Sequence, residues 1–295
     1  MTDKKTLKLF HIMNIAATIY CILMQIIVGS VTYFVCIPAI YHNEVNTQLW
    51  HRVGFILILL GLVVNYLLCL LKESTLDRNQ VLTKTSSRGE ETTMLPMYTS
   101  DSMKEWTYCS LCRLDSPPRC HHCPICNVCV LKRISHCFFV GKCIGHYNHR
   151  YYVSFLIYTI LVAFYSLLLY LSYLHDHFGT PLSRDILGHL YPIAVGRFIL
   201  GKVPLYALLL LTLMYQCLMY TVGCGFLLYQ ALNNIKNGQT PHEAHNKSSM
   251  YNYGIKENMQ VVFGRRWFLA VIIPWPSKLP GDGMQWELSN RAKVF

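Results

Sequence analysis

Four long apolar runs constrain this chain most, because a helix needs ~20 predominantly apolar residues to cross a bilayer. The runs are Ile15–Ile40, Val53–Leu71, Tyr152–Leu174 and Val203–Leu228. Only 14% of the 295 residues are charged, and these charges lie outside the runs. Buried helices of a large soluble core would be shorter and would carry more charge. The sequence therefore predicts an all-α, multi-pass membrane protein with four transmembrane helices.

Basic residues are distributed unevenly among the segments that these runs separate. The amino-terminal tail, the middle loop and the carboxy-terminal tail hold three, eleven and eight of the 26 lysines and arginines. Lysine and arginine collect on the cytosolic side of membrane proteins. We therefore expect both termini and the middle loop in the cytosol. The net charge of +11 is explained in the same way, and nothing resembles a nucleic-acid module, so no nucleic-acid partner is expected.

These features divide the chain into segments. They are a cytosolic amino-terminal tail (1–14), transmembrane helices 1 and 2 (15–71), a cytosolic linker (72–105), a cysteine-rich region (106–150), helices 3 and 4 (151–232) with a lumenal loop (175–202), and a cytosolic carboxy-terminal tail (233–295). The linker is predicted to be flexible, because it is polar and has no apolar period. The first run is longer than a signal core and shows no clear cleavage site, so we expect it to stay as an anchor.

Polar side chains interrupt the apolar part of the chain at a few positions, namely Asn14, Gln25, Asn65 and Gln216. In membranes such side chains most often form hydrogen bonds between helices. We expect that role here rather than a transport path.

Eight of the thirteen cysteines fall between Cys109 and Cys143. In a cytosolic loop thiols stay reduced, so metal binding or catalysis is favoured over disulfides. The pattern is Cys109-x2-Cys112, His122-Cys123-x2-Cys126-x2-Cys129, His136-Cys137 and Cys143. A Cys-x2-Cys step aims two thiolates at one tetrahedral ion, and histidine supplies a compatible nitrogen. The spacing therefore predicts a zinc-binding domain.

A zinc ion takes four ligands in structural sites. Two sites, each with three cysteines and one histidine, would use six of the eight cysteines. Cys120 and Cys137 are candidates for the two that remain. A thiol within a zinc-stabilised domain that binds no metal is a candidate nucleophile. The spacing alone does not say which cysteine is free.

The stretch Cys109–Tyr152 resembles the cysteine-rich domain of the DHHC protein S-acyltransferases (palmitoyltransferases), including Pro118-Arg119, Cys143-Ile144-Gly145 and Asn148. Four spans with this domain between the second and the third also fit that family. Downstream, Thr240-Pro241-His242-Glu243 is similar to the family's Thr-Thr-x-Glu motif with its second Thr changed, and Tyr253–Gly264, with Asn258, is similar to its carboxy-terminal motif.

The resemblance implies roles for individual residues. One zinc site would consist of Cys109, Cys112, His122 and Cys129, and the other of Cys123, Cys126, His136 and Cys143. Cys137 would be the acyl-accepting nucleophile. Cys120 is extra relative to the family and is interpreted as a spare surface thiol. The resemblance also implies two structural zinc ions, fatty acyl-CoA as co-substrate, membrane-associated substrate proteins with cytosolic cysteines, and a location in the endoplasmic reticulum or Golgi membrane.

The sequence departs from the family pattern beside the nucleophile. The family has Asp-His-His before this cysteine, whereas here Ile134 and Ser135 replace the catalytic Asp and His, and His136 remains. A general base contributes about 10²- to 10⁴-fold. A cysteine with a pKa of ~8.5 still holds a few per cent thiolate at neutral pH and is intrinsically nucleophilic. We therefore expect a slow S-palmitoyltransferase that acts through an acyl-Cys137 intermediate.

The alternative is a catalytically inactive membrane scaffold that binds partners or acyl-CoA. Retention of Cys137 favours the enzyme, since a scaffold needs no thiol there. Loss of the acid–base pair at Ile134 and Ser135 favours the scaffold. A zinc domain of the ubiquitin-ligase kind fits the number of cysteines, but it does not fit the adjacent His-Cys pairs.

Overall fold

The computed structural model describes residues 4–79, 81, 106–178, 190–273 and 278–289. Within these residues, four helices are long and apolar enough to cross a membrane, at Lys5–Ile40, Val45–Leu71, His149–His175 and Leu205–Lys236. The predicted fold class, four apolar helices with a cysteine-rich region, is confirmed. Each helix is longer than the apolar run that predicted it, because flanking polar residues continue the helical backbone.

The bounds of the long helices and their short neighbours are as follows. α1 spans Lys4–Val31 and continues through a π-helical turn, Thr32–Cys36, into α2, Ile37–Ile40. α3 spans Val45–Leu71, α4 spans His149–Phe178, α5 spans Tyr191–Ile199 and α6 spans Leu205–Lys236. α5 lies within the predicted lumenal loop, of which residues 179–189 are outside the described part of the chain.

One of two compact units consists of the described residues of 20–64 and 154–229, which form most of the four long helices. A polar cluster joins its helices: the Thr32 hydroxyl lies 2.8 Å from Ser166 Oγ and 3.1 Å from the Tyr170 hydroxyl. Tyr170 in turn donates to the carbonyl of Val28 at 3.0 Å. Gln216 accepts a hydrogen bond from Tyr20 at 2.6 Å, so it does join two helices as predicted.

The second unit contains the described residues of 1–19, 65–153 and 230–295. Its strands are β1 Thr107–Cys109, β2 Leu114–Ser116, β3 His121–Cys123, β4 Val128–Val130, β5 Ser135–Cys137 and β6 Lys142–Ile144. They pair in order as antiparallel hairpins, β1–β2, β3–β4 and β5–β6. The sequence does not predict these strands, because three residues are too few for a period-two pattern to appear.

The beginning of the predicted linker is structured. Thr75 forms a bridge with Val130 of β4. The amide of Leu131 donates to the carbonyl of Ser74 at 2.8 Å, and the amide of Leu76 donates to that of Cys129 at 2.9 Å. This segment therefore lies alongside β4 and is held to it by backbone hydrogen bonds. The rest of the predicted linker, residue 80 and residues 82–105, lies outside the described residues.

Asn148 connects the end of α3 to the last hairpin. Its side-chain oxygen accepts from the amide of Gly145 at 2.8 Å. Its side-chain nitrogen donates to the carbonyls of Cys143 at 2.9 Å and Cys69 at 3.2 Å. Position 145 requires glycine because the backbone of Leu131 lies so close that a Cβ there would be 2.6 Å from the Leu131 carbonyl oxygen.

The carboxy-terminal segment contains α7 Pro241–His245, α8 Ile255–Phe263 and α9 Trp267–Ile272. Asn258 ties it to the end of α6: its side-chain nitrogen donates to the carbonyl of Lys236 at 2.9 Å, and its oxygen accepts from the amide of Tyr253 at 3.1 Å. Gly238 has a φ of 65°, and a Cβ there would overlap the carbonyl of Tyr251. The segment thus folds back over the residues that end α6.

Candidate active site and metal centres

The three hairpins repeat one backbone unit every 14 residues, as the positions 109, 123 and 137 show. Each hairpin's first strand ends in a cysteine, namely Cys109, Cys123 and Cys137. In every turn the residue four positions later donates its amide to that cysteine's carbonyl at 2.8 Å. Those residues, Arg113, Asn127 and Gly141, have φ values of 53°, 55° and 75°. The three turns therefore share one geometry.

The first two turns combine with the following hairpin to form two groups of metal-binding side chains. The first group consists of Cys109, Cys112, His122 and Cys129, and the second of Cys123, Cys126, His136 and Cys143. Within each group the ligand atoms lie within 4.8 Å of one another. His122 faces Cys129 across β3–β4, and His136 faces Cys143 across β5–β6. Each group thus joins the turn of one hairpin to a cross-strand pair of the next.

The distances within both groups fit a tetrahedral zinc ion. In the first group, the His122 Nδ1 lies 3.2 and 3.8 Å from two cysteine sulfurs. In the second, the His136 Nδ1 lies 3.3, 3.6 and 3.8 Å from three sulfurs. Bond lengths of about 2.3 Å to sulfur and 2.0–2.1 Å to nitrogen put the donor atoms of a tetrahedron about 3.5–3.8 Å apart. Both groups could therefore hold a metal ion, and their donors are those that zinc prefers.

Strand geometry leaves Cys137 outside both groups. His122 and Cys123 are neighbours in β3 but belong to different groups, because successive side chains of a strand point to opposite faces. By the same alternation, His136 joins the second group and Cys137 points away from it. Val140 stands where the turn would carry its second cysteine. Among the described residues, Cys137 belongs to neither metal-binding group.

The environment of Cys137 acts on its thiol in two opposite ways. The residue is 8% exposed. Burial raises the pKa of the Cys137 thiol, whereas hydrogen bonds from the backbone amides of Val140 and Phe139 lower it. Burial also raises the pKa of the Cys109 thiol, but the equivalent amides of the first turn, from Cys112 and Leu111, together with the Cys129 side chain lower that pKa below its usual value, whereas the pKa of Cys137 is raised overall. The backbone amides of the third turn can therefore stabilise a thiolate at Cys137, which is not part of either metal-binding group.

Ser135 lies on the same face of β5 as Cys137, because residues two apart in a strand share a face. Ile134 precedes the strand, and its amide donates to the carbonyl of Ile144 at 2.9 Å. The side chain at position 135 thus points to the same side of the strand as the Cys137 thiol. Its hydroxyl is a poor base near neutral pH.

Two long helices hold the turn that follows Cys137. From α1, the Thr18 hydroxyl donates to the carbonyl of Phe138 at 2.9 Å, and Asn14 Nδ2 donates to the carbonyl of Gly141 at 3.1 Å. From α3, the Tyr66 hydroxyl donates to the carbonyl of Phe139 at 3.4 Å. Lys142, in the next strand, donates to the carbonyl of Leu70 at 3.0 Å. Hydrogen bonds to backbone carbonyls therefore fix the Cys137 hairpin against the middle of α1 and the end of α3.

Arg119 joins the cysteine-rich region to the carboxy-terminal segment. Its guanidinium makes a bidentate contact with the Glu243 carboxylate at 2.8 and 2.9 Å and donates to the carbonyl of Gly238 at 2.9 Å. The rings of Tyr251 and Trp286 lie 4.6 and 4.5 Å from the guanidinium carbon. Such planar, bidentate and ring-stacked contacts suit arginine and not lysine.

Further basic groups lie beside this ion pair. Lys132 lies 5.4 Å from the Trp286 ring, and His149 and Lys132 line one cavity with Arg119. Burial lowers the pKa of Lys132 well below its usual range, and the charge of Arg119 adds to this effect. Burial likewise lowers the pKa of His146 to about 4. Glu243 is thus the carboxylate that compensates charge in a region where further positive charge is costly.

Glu243 also caps α7. Its side chain accepts from the Thr240 amide at 2.8 Å, while the Thr240 hydroxyl accepts from the Glu243 amide at 3.3 Å, which completes a capping box. One carboxylate therefore begins a helix and neutralises a buried arginine. This explains why the motif residues Thr240 and Glu243 occur three apart.

A family model described as DHHC palmitoyltransferase matches residues 102–248, which include both cysteine groups, Cys137 and Glu243. The chain belongs to the DHHC family. Among its relatives, the human "Palmitoyltransferase ZDHHC22" is 32% identical over 142 residues, which cover 46% of this chain and 52% of the relative. "Probable palmitoyltransferase ZDHHC24" of Mus musculus is 33% identical over 193 residues, which cover 62% of this chain and 64% of the relative. The chain thus spans about half the length of the ZDHHC22 relative.

This DHHC protein brings the eight predicted metal ligands together in two groups of the predicted membership. One expectation for the region is wrong: Cys120 is buried against Leu76, Leu131 and Met284, not exposed. The structured start of the linker contributes Leu76 to this cluster. Sequence reasoning also missed the 14-residue repeat, which singles out Cys137 as the third member of a series of turn cysteines.

The Arg119–Glu243 pair can be tested by substitution. We expect Glu243→Gln to destabilise the protein by about 3–5 kcal/mol, because removing one partner of a buried ion pair leaves the other charge uncompensated. The measurement is thermal unfolding of the detergent-purified full-length protein. Glu257→Gln, at an exposed position of α8, is the matched control and should shift stability by no more than about 0.5 kcal/mol. Equal, small shifts for both variants would contradict this role for Glu243.

Proposed function

We propose that this protein is an S-acyltransferase that carries a fatty acyl group on Cys137 and passes it to cysteines of membrane-associated proteins. The observation that carries the proposal is the position of Cys137. It occupies the turn-cysteine position of the third hairpin, receives the same amide donors as Cys109, and points away from the second metal group. The relatives named as palmitoyltransferases support the same chemistry.

The reaction has two thioester exchanges. In the first, the Cys137 thiolate attacks the carbonyl carbon of a fatty acyl-CoA, a carbon–sulfur bond to Cys137 forms, the bond to CoA breaks, and CoA leaves as a thiolate that takes up a proton. In the second, the thiolate of a substrate cysteine attacks acyl-Cys137, and the Cys137 thiolate is regenerated. Each exchange replaces one thioester by another and is nearly isoenergetic, so the reaction needs no further source of free energy. Ser135 supplies no base, and the proposed reaction is slow for that reason.

We propose that the two cysteine groups hold structural zinc ions. A structural zinc site with four protein ligands contributes folding energy directly. The ion would hold the hairpins in register, and the protein residues would do the chemistry. This proposal is supported by the donor sets and distances described above.

We further propose that both termini and the cysteine-rich region lie in the cytosol, in the membrane of the endoplasmic reticulum or Golgi. The basic residues of the two tails and the middle loop support this orientation. Reduced thiols, which both zinc binding and acyl transfer require, are maintained on that side.

The second candidate function is a membrane scaffold without catalytic activity. Two observations favour it: Ser135 and Ile134 stand where the family has its acid–base pair, and burial raises the pKa of the Cys137 thiol. Acyl labelling of the double variant Ile134→Asp/Ser135→His separates the two functions.

Zinc stoichiometry tests the two metal sites. We expect about two zinc ions per chain by elemental analysis, about one or none in Cys143→Ser, and an unchanged value in Cys137→Ser. The physical reason is that Cys143 faces His136 within the second group, whereas Cys137 points to the other side of the strand. Equal zinc loss in both variants would make Cys137 a ligand.

Orientation is tested by accessibility of introduced tags. A tag at either terminus should be cleaved by protease added outside sealed microsomes, and a tag within the predicted lumenal loop, 175–202, should be protected. Protection of the termini instead would overturn the orientation derived from the basic residues.

The double variant Ile134→Asp/Ser135→His tests what limits the rate. An imidazole at position 135 would share the face of Cys137, raise its thiolate fraction and accept its proton, while the carboxylate introduced at position 134 would hold the ring. We expect hydroxylamine-sensitive labelling by a clickable palmitoyl-CoA to rise by about 10²- to 10⁴-fold. The background is Cys137→Ala. Labelling that stays at background with zinc intact would favour the scaffold.

A further inference from the structure

The polar residue Asn14 of α1 contacts the hairpin that carries Cys137 and not a second membrane helix. Its side-chain oxygen lies 3.0 Å from the Nε2 of His136. Its side-chain nitrogen donates to the carbonyl of Gly141 at 3.1 Å. The expectation that Asn14 joins two helices is therefore wrong, because the cysteine-rich region lies against this part of α1.

The two hydrogen bonds are consistent with only one arrangement of protons. The Nδ1 of His136 faces the sulfurs of Cys123, Cys126 and Cys143, so this nitrogen is the one that faces the metal position. The Nε2 then carries the hydrogen and donates it to the Asn14 oxygen. The side-chain NH2 group of Asn14 then points to the carbonyl of Gly141, which can only accept a hydrogen bond.

Thr18, one helical turn further along α1, reinforces the contact on the same face. Its hydroxyl lies 2.9 Å from the carbonyl of Phe138. The turn approaches so closely that a Cβ at Gly141 would lie 2.8 Å from the Thr18 hydroxyl oxygen. The first two turns carry Arg113 and Asn127 at the equivalent position, and Gly141 occurs where α1 lies alongside.

We infer that Asn14 is a positioning residue for the second metal group and for the Cys137 hairpin. Through His136 it fixes the orientation of a metal ligand, and through Gly141 it fixes the turn that follows the proposed nucleophile. The inference rests on the zinc-binding part of the proposed function. Partners that orient a ligating histidine typically contribute about 10- to 100-fold to metal affinity.

The experiment measures zinc release from the detergent-purified full-length protein after addition of a chromogenic chelator. We expect Asn14→Leu to speed release of one of two zinc ions about 10- to 100-fold and to leave the other unchanged. Peptide-level alkylation should show Cys126 and Cys143 exposed first, and Cys109 and Cys112 at the original rate. The first group thus serves as an internal control within the same molecule.

Two further variants separate the roles of Asn14. Asn14→Asp keeps an acceptor for the His136 N–H but cannot donate to the Gly141 carbonyl, so it should release zinc at nearly the original rate. Thr18→Val removes a hydrogen bond to the same turn without touching His136, and its zinc release should be unchanged. If Asn14→Leu does not fold, Asn14→Ala carries the same expectation.

The outcomes are distinct. Release of both ions at the original rate in Asn14→Leu and Asn14→Ala, or equal acceleration of both, would overturn the inference. The same measurements in a Cys137→Ser background should give the same pattern, because zinc release does not need the nucleophile. Failure of acyl transfer would therefore leave this result intact, and failure of the Asn14 result would leave acyl labelling of the unmodified chain unaffected.

Discussion

The alternation of side chains along a β-strand is the constraint on which the cysteine-rich region depends. In β3 and in β5 a histidine and a cysteine are neighbours, so their side chains point to opposite faces: β3 supplies a ligand to each metal group, whereas β5 supplies His136 to the second group and directs Cys137 away from it. Each metal group is therefore built from two successive hairpins, and no hairpin completes a group alone. Because the series ends with β5–β6, the last turn cysteine, Cys137, faces a side where no further hairpin follows among the described residues. The position of the proposed nucleophile thus follows from the same strand geometry that brings the metal-binding side chains together.

The position of that thiol depends on a second feature, the contact of its turn with α1 and α3. Carbonyl groups of the turn accept hydrogen bonds from Asn14, Thr18 and Tyr66. Polar side chains are costly in apolar helices unless they find partners, and the turn provides partners for these. The helix side chains and the turn thus satisfy each other's hydrogen-bonding groups, since the carbonyls of a tight turn also need donors. The Arg119–Glu243 ion pair fixes the carboxy-terminal segment to the cysteine-rich region in a similar way, through charged rather than neutral partners.

The sequence predicts those parts of the structure that depend on composition and short spacing. The four long helices follow from run length, and the membership of the cysteine groups follows from the family pattern over Cys109–Cys143. The strands were not predictable, because three residues carry no alternation and their pairing depends on the turn geometry at Arg113, Asn127 and Gly141. The partner of Asn14 was not predictable either, since it lies 122 residues away in the chain. Cys120 is buried by Leu76, a residue whose own segment has no apolar pattern.

The interlocking of the hairpins sets an order for the growing polypeptide during synthesis. The first metal group is complete once Cys129 has left the ribosome, and the second only once Cys143 has. His149, where α4 begins, follows Cys143 closely, so the last ligand of the second group and the third membrane helix are synthesised in direct succession. By then α1, which supplies Asn14 and Thr18, has already been synthesised. The hairpin with Cys137 is therefore the last of the three to be synthesised, and the helix α1 against which it packs is synthesised before it.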